Sequence, residues 1–162
     1  MVCVIDFDGT FLINDFFKEA FFKKIIENPF YIINHFFFKR KSVLDLKMDL
    51  LKNHEINYPI QFLKNKFVAK WLSENGHHYD KILLVSASPD FFVKKILNDQ
   101  KLFDEIHGSK TINLKGLNKL EFIKERWVEF DYMGDSKDDL IIFKHCKNAF
   151  RITPKGIINV KK

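Results

Sequence analysis

Carboxylates gather at a few points in this sequence, and each point follows a short apolar run. Asp6 and Asp8 stand two apart after Val2–Ile5, and Asp135, Asp138 and Asp139 follow Phe130–Met133. Ser86 follows a third run, Lys81–Val85. If the apolar runs are strands of one open sheet, their carboxyl ends converge on one crevice. Several carboxylates brought together there would repel one another and raise their pKa values. A divalent cation resolves that conflict. All-oxygen donors suit magnesium, which keeps waters and shares phosphate oxygens with a substrate.

The elements that would hold these residues can be read from spacing. Val2–Ile5 is apolar and β-branched, as expected of a strand covered on both faces. Leu12 to Glu27 carries apolar residues at helical intervals and should break at Asn28-Pro29. A second apolar stretch runs to Phe38 and ends in Lys39-Arg40-Lys41. Ser42 caps a third helix to about Asn53, and a fourth is expected from Tyr58-Pro59 to Glu74, with Gly76 as its stop. Then strands and helices alternate: a strand over 81–85, a helix over 89–98, extended pieces over 105–108 and 110–113 and an amphipathic helix over 116–127. A strand over 130–133, a helix over 138–145 and a strand over 149–152 complete the reading. Alternation of this kind predicts an α/β fold, a Rossmann-like doubly wound parallel sheet. Residues 1–10 and 79–162 would form the core, with 11–78 a small all-helical cap inserted after the first strand.

Composition sets the bounds. The 162 residues include 27 Lys and Arg against 21 Asp and Glu, a net charge of +6, and 19 Phe. A hydrophobic share of 46% excludes a disordered chain. The greasiest stretch, 30–38, contains Asn34 and His35 and is shorter than the roughly 18 apolar residues of a membrane span. Two cysteines give no disulfide framework, and no basic leader precedes the first strand, so a cytoplasmic setting is expected. The lysines are dispersed and no recognition motif is present, so no nucleic-acid partner is expected. Cys3 reads as a small core residue, and the histidines, including adjacent His77 and His78, read as surface or packing residues.

Asp6-Phe7-Asp8-Gly9-Thr10, Ser86, a lysine near Gly116 and Gly134-Asp135-Ser136-Lys137-Asp138-Asp139 resemble, in order and context, the four motifs of the haloacid dehalogenase (HAD) superfamily. The resemblance implies a phosphatase in which Asp6 is the nucleophile and forms an aspartyl phosphate. Asp8 would be the general acid and base. Magnesium would sit among Asp6, the Asp8 backbone carbonyl, Asp135 and Asp139, with Asp139 just behind. Gly9, Thr10, Ser86, Ala87 and a lysine would surround the phosphoryl oxygens. Lys119 fits the GxxK spacing of phosphoserine-phosphatase-like members and is preferred to Lys115. Asp138 stands where many members have Asn or a small residue.

Val85-Ser86-Ala87-Ser88-Pro89 with Phe91-Phe92-Val93 is similar to the phosphoserine-phosphatase-like branch. Asn113-Leu114-Lys115-Gly116 and the greasy insertion are similar to the HAD domains associated with UbiA-type polyprenyltransferases. These resemblances imply a phosphorylated small-molecule or lipid-linked substrate, with peripheral membrane contact through the cap as one reading of its aromatic residues. Packing of the cap's own core is the other. A phosphotransferase using the same intermediate, or a non-catalytic module partnering a membrane prenyltransferase, are the alternatives.

Overall fold

The computed structural model describes residues 1–38, 41–52, 63–97 and 102–161. β1 (Val2–Ile5) is central because all four of its residues are buried and both its edges are paired. Beside it lie β2 (Lys81–Pro89) and β4 (Phe130–Gly134), with β3 (Glu105–Ser109), β5 (Ala149–Thr153) and β6 (Gly156–Asn159) outside them. The order is β3-β2-β1-β4-β5-β6, parallel except for the β5–β6 hairpin. The chain therefore turns to the opposite side of β1 after β3. The crevice between the ends of β1 and β4 is the switch point at which such sheets bind ligands.

Alternation along the strands divides the core. Cys3, Ile5, Leu84 and Met133 face one layer, with Val68, Phe92, Val93 and Ile96 from α4 (Lys66–Asn75) and α5 (Asp90–Leu97). Val2, Val4, Leu83, Val85 and Tyr132 face the other, with Leu120, Ile123 and Ile142 from α6 (Leu117–Lys124) and α7 (Leu140–Phe143). The fold class read from the sequence is the one observed.

Before α4 come α1 (Phe16–Glu27), α2 (Phe30–Ile33), which runs into a π turn over Asn34–Phe38, and α3 (Val43–Lys52). α1 starts later than Leu12 because the Asp15 side chain accepts from the Lys18 amide and caps it. Leu12 instead bridges to Asp8 and Lys64. Ser42 caps α3 as expected, its hydroxyl accepting from the Asp45 amide while Asp45 accepts from the Ser42 amide. The expected helix start at Tyr58 lies outside the described residues; Asn65 caps α4, its side chain accepting from Phe67 N. Gly76 is the C-cap of α4, as expected, and with φ −56° it leads into a 3-10 turn through His78. α4 lies on the sheet, with Trp71 against Phe150.

Three further departures have local causes. Residues 110–113 are bends, because the buried Ser109 hydroxyl accepts from Leu114 N and closes a turn over them. The helix expected over 138–145 is a 3-10 turn (Lys137–Asp139) followed by the short α7. β6 lies beyond the last strand expected; Pro154-Lys155 turns the chain back on β5, and the Thr153 hydroxyl donates to Gly156 O at 2.9 Å.

Candidate active site

Asp6 leaves the end of β1 with its amide bonded to Met133 O, which fixes it beside β4. The chain then doubles back, Phe11 N to Asp6 O and Leu12 N to Phe7 O. Gly9 makes this turn possible with φ +77°, and a Cβ there would lie 2.5 Å from Asp135 Oδ2. Thr10, fully buried, donates to Asp135 Oδ1 at 3.0 Å. The loop after β1 thereby holds the acid after β4.

A second set of bonds runs beneath. The Lys119 ammonium, 3% exposed, donates to Asp6 Oδ1 at 2.6 Å and to the Tyr132 hydroxyl at 3.2 Å. Tyr132 donates in turn to Asp139 Oδ1 at 2.6 Å. Asp139 Oδ2 accepts from the Ser136 amide and hydroxyl, closing a capping box at the turn after β4. Asp8 accepts from the Ser88 hydroxyl at 2.6 Å through Oδ2, while its buried Oδ1 has no partner among the described residues.

The electrostatics follow from burial. Desolvation pushes the Asp8 carboxyl up to about 7, against the Ser88 hydrogen bond. It also pushes Asp6 up to about 6, opposed by the Lys119 charge and reinforced by Asp139. For Lys119 burial works against the charge, but the Asp6 and Asp139 carboxylates outweigh it and hold the ammonium above its ordinary value. Asp135 is raised, mainly by burial. Tyr132 is raised well above its usual range, first by burial and then by Asp139, so it remains a phenol.

Of the residues read from the sequence, Asp6, Asp8, Ala87, Lys119 and Asp139 line one cavity of about 320 Å³. Asp135, Gly9 and Thr10 are not in that lining but are joined to it through the contacts above. Oxygens of Asp6, Asp135 and Asp139 lie within 4.8 Å of one another, a donor set that fits a hard divalent cation. Lys115 pairs with Asp138 at 3.0 Å on the rim. Ser86 is fully buried and its hydroxyl oxygen accepts from the Ser88 amide. A wider cleft, about 440 Å³ and lined by His107, Phe122 and Arg126, holds none of these residues.

Three participants are absent from the sequence reading. Tyr132 appears there only as part of a strand, although alternation with Met133 predicts its face. Ser88, two residues beyond Ser86, is the serine that meets Asp8. Lys47 on α3 is 7% exposed, donates to Ala87 O at 2.8 Å and lines the cavity. Its signal is a lysine on the helical face shared by Leu44 and Leu51, both buried.

The same fold occurs in solved structures. Over 91% of this chain and 84% of the other, it is similar to a phosphoserine phosphatase carrying a phospho-aspartyl intermediate analogue, at 17% identity and TM-score 0.56. A phosphoserine phosphatase from T. onnurineus is 20% identical over 96% of this chain and 86% of its own, with TM-score 0.56. A HAD family hydrolase from Salmonella enterica serovar Typhi is 12% identical with TM-score 0.61 over 90% of this chain, which spans 60% of its length. No protein-family profile matches the sequence, and no curated protein matches it.

Proposed function

We propose that this chain is a magnesium-dependent phosphohydrolase that cleaves a phosphomonoester through an aspartyl phosphate on Asp6. The observation that carries this reading is the Asp6 carboxylate itself: buried, held by Lys119, grouped with Asp135, and neighboured by an Asp8 with one oxygen unpartnered among the described residues. An Asp6 oxygen attacks phosphorus as the ester P–O bond breaks. Asp8, with its pKa near 7, gives its proton to the departing alkoxide. The resulting Asp8 carboxylate then takes a proton from the water that attacks the aspartyl phosphate, releasing phosphate and restoring Asp6.

Lys119 offsets charge on the transferring group, and Ala87, on the cavity wall, would border its oxygens, with Ser86 buried behind it. Asp6, Asp135 and the Asp8 carbonyl would hold magnesium, which when bound neutralises phosphate charge and polarises phosphorus. Both oxygens of Asp139 already accept hydrogen bonds, so its role is to orient Lys119 through Tyr132. The lid in this reading is α1 to α3, narrower than residues 11–78, because α4 packs on the sheet.

A second reading, a lipid-linked substrate at a membrane surface as the UbiA-associated resemblance suggests, is supported by one observation. Phe22, Ile26, Phe30 and Phe37 on α1, α2 and the π turn are all at least 60% exposed. No described helix is long and apolar enough to cross a membrane.

One assay addresses both. Phosphate release from p-nitrophenyl phosphate with magnesium is expected to fall by at least about 10³-fold in Asp6→Asn with an unchanged circular dichroism spectrum. Retained turnover overturns the assignment of the nucleophile. Repeating the assay with a phosphomonoester displayed on vesicles reads the second: faster turnover than with its soluble counterpart supports it, and no advantage removes it.

A further inference from the structure

Lys47 is a buried cation whose partners are all neutral. Its ammonium donates to Ala87 O at 2.8 Å and approaches Asn113 Oδ1 at 3.4 Å. The ring of Phe17 lies 5.5 Å away. Among the described residues no carboxylate comes within ion-pair distance of it. The acids of its own helix are engaged elsewhere: Asp45 with Ser42, and Asp49 with Lys41 at 3.2 Å. Burial holds its pKa below the usual lysine value, though it is opposed by the more distant Asp8 and Asp15 charges. A desolvated ammonium without a counter-charge is costly to a fold. Here it opens onto the same cavity as Asp6 and Asp8.

The acids around that cavity complete the picture. Asp15 caps α1 and pairs with Lys18 at 2.9 Å, and Asp138 pairs with Lys115 at 3.0 Å. Asp6, Asp8 and Asp139 belong to the chemistry proposed above. Among the described residues the cavity thus offers in Lys47 a cation lacking a counter-ion, while its acids outside the proposed chemistry, Asp15 and Asp138, each pair with a lysine. It also offers Phe17 and Val43 as apolar wall.

We propose that Lys47 is a specificity-determining residue that binds a second anionic group on the substrate's leaving half, so that the preferred phosphomonoester carries a carboxylate and no ammonium. The inference rests on the phosphohydrolase reading and sharpens it. It also separates this site from one built for a zwitterionic amino-acid phosphate, because with Asp8 engaged at the leaving oxygen the remaining cavity acids, Asp15 and Asp138, already pair with Lys18 and Lys115.

Four compounds vary the two groups: 3-phosphoglycerate (carboxylate and hydroxyl), O-phosphoserine (carboxylate and ammonium), phosphoethanolamine (ammonium alone) and glycerol 3-phosphate (neither). The wild-type protein is expected to favour 3-phosphoglycerate over glycerol 3-phosphate by about 10- to 100-fold in kcat/KM, the range of a hydrogen bond to a charged group. O-phosphoserine should fall below 3-phosphoglycerate. Lys47→Met should erase most of the preference, mainly through KM for the two acids, and Lys47→Arg should recover part of it. Equal wild-type rates with 3-phosphoglycerate and glycerol 3-phosphate overturn the proposal. So does O-phosphoserine matching 3-phosphoglycerate, or a Lys47→Met loss uniform across all four compounds, as a purely structural anchor would give. Calorimetric binding of the same compounds to Asp6→Asn protein is expected to rank them alike. Absent turnover alone would therefore count against the hydrolase, while a flat binding order would count against Lys47.

Discussion

Two buried aspartates near opposite ends of the sheet divide structure from chemistry. Asp131, near the start of β4, is 1% exposed and accepts from the Tyr79 hydroxyl at 2.7 Å and from the amide and side chain of Asn148. Both its oxygens are occupied. Asp8, beyond the end of β1, has one oxygen on Ser88 and the other on nothing among the described residues. The first ties Tyr79, ahead of β2, to β4 and to Asn148, ahead of β5. The second lies in a cavity in a state that costs the fold. A buried carboxylate is thus informative about function only once its partners are counted.

The contrast predicts that substitutions at the working end cost rate, while those at the other cost stability. After Asp6→Asn, the largest effect expected is in Lys119→Met, a loss of about 10²- to 10³-fold in kcat from removing the cation beside Asp6. Lys115→Met should lose less than about threefold, and the reverse order in steady-state kinetics would transfer the role to Lys115. Next comes Asp131→Ala, which strands Tyr79 and Asn148 and should cost about 3 kcal/mol in urea unfolding with kcat preserved. A fall in kcat for the folded variant would break the division.

One effect has the opposite sign. Asp8 has a folded pKa raised from 3.8 to about 7, so its stabilising contribution is full below about pH 4 and is lost as pH rises through 7. Asp8→Asn cannot ionise. In chelator it should therefore be more stable than the parent by about 4 kcal/mol at pH 8, with the gain vanishing at pH 4. A constant difference across that range would show that Asp8 is not strained by its burial.

How much is legible in the sequence depends on where each contact is encoded. The sheet is readable because Val2–Ile5, Lys81–Val85 and Phe130–Met133 are apolar runs bounded by turn residues. Asp6, Asp8 and Asp135 are readable because a strand end and a turn place them within a few residues of chain. Lys47 is not, since its partner Ala87 is 40 residues away and only packing of α3 joins them. Tyr132 escapes for a related reason: alternation gives its face, but Lys119 and Asp139 lie across that face from different elements. Leu12 has helical spacing yet stands outside α1, because its backbone is claimed by bridges to Asp8 and Lys64. β6 goes unread because its two isoleucines are too short a signal without the hairpin that pairs them.

The two glycines flanking Asp135 shape what substitutions this site can accept. A Cβ at Gly9 would strike the Asp135 carboxylate at 2.5 Å, and one at Gly134 would lie 2.7 Å from the Asp139 carboxyl carbon. Both positions act as blanks that reserve volume for an acid on another part of the loop. An alanine at either point would therefore push an acid of this cluster out of place without altering a single polar group.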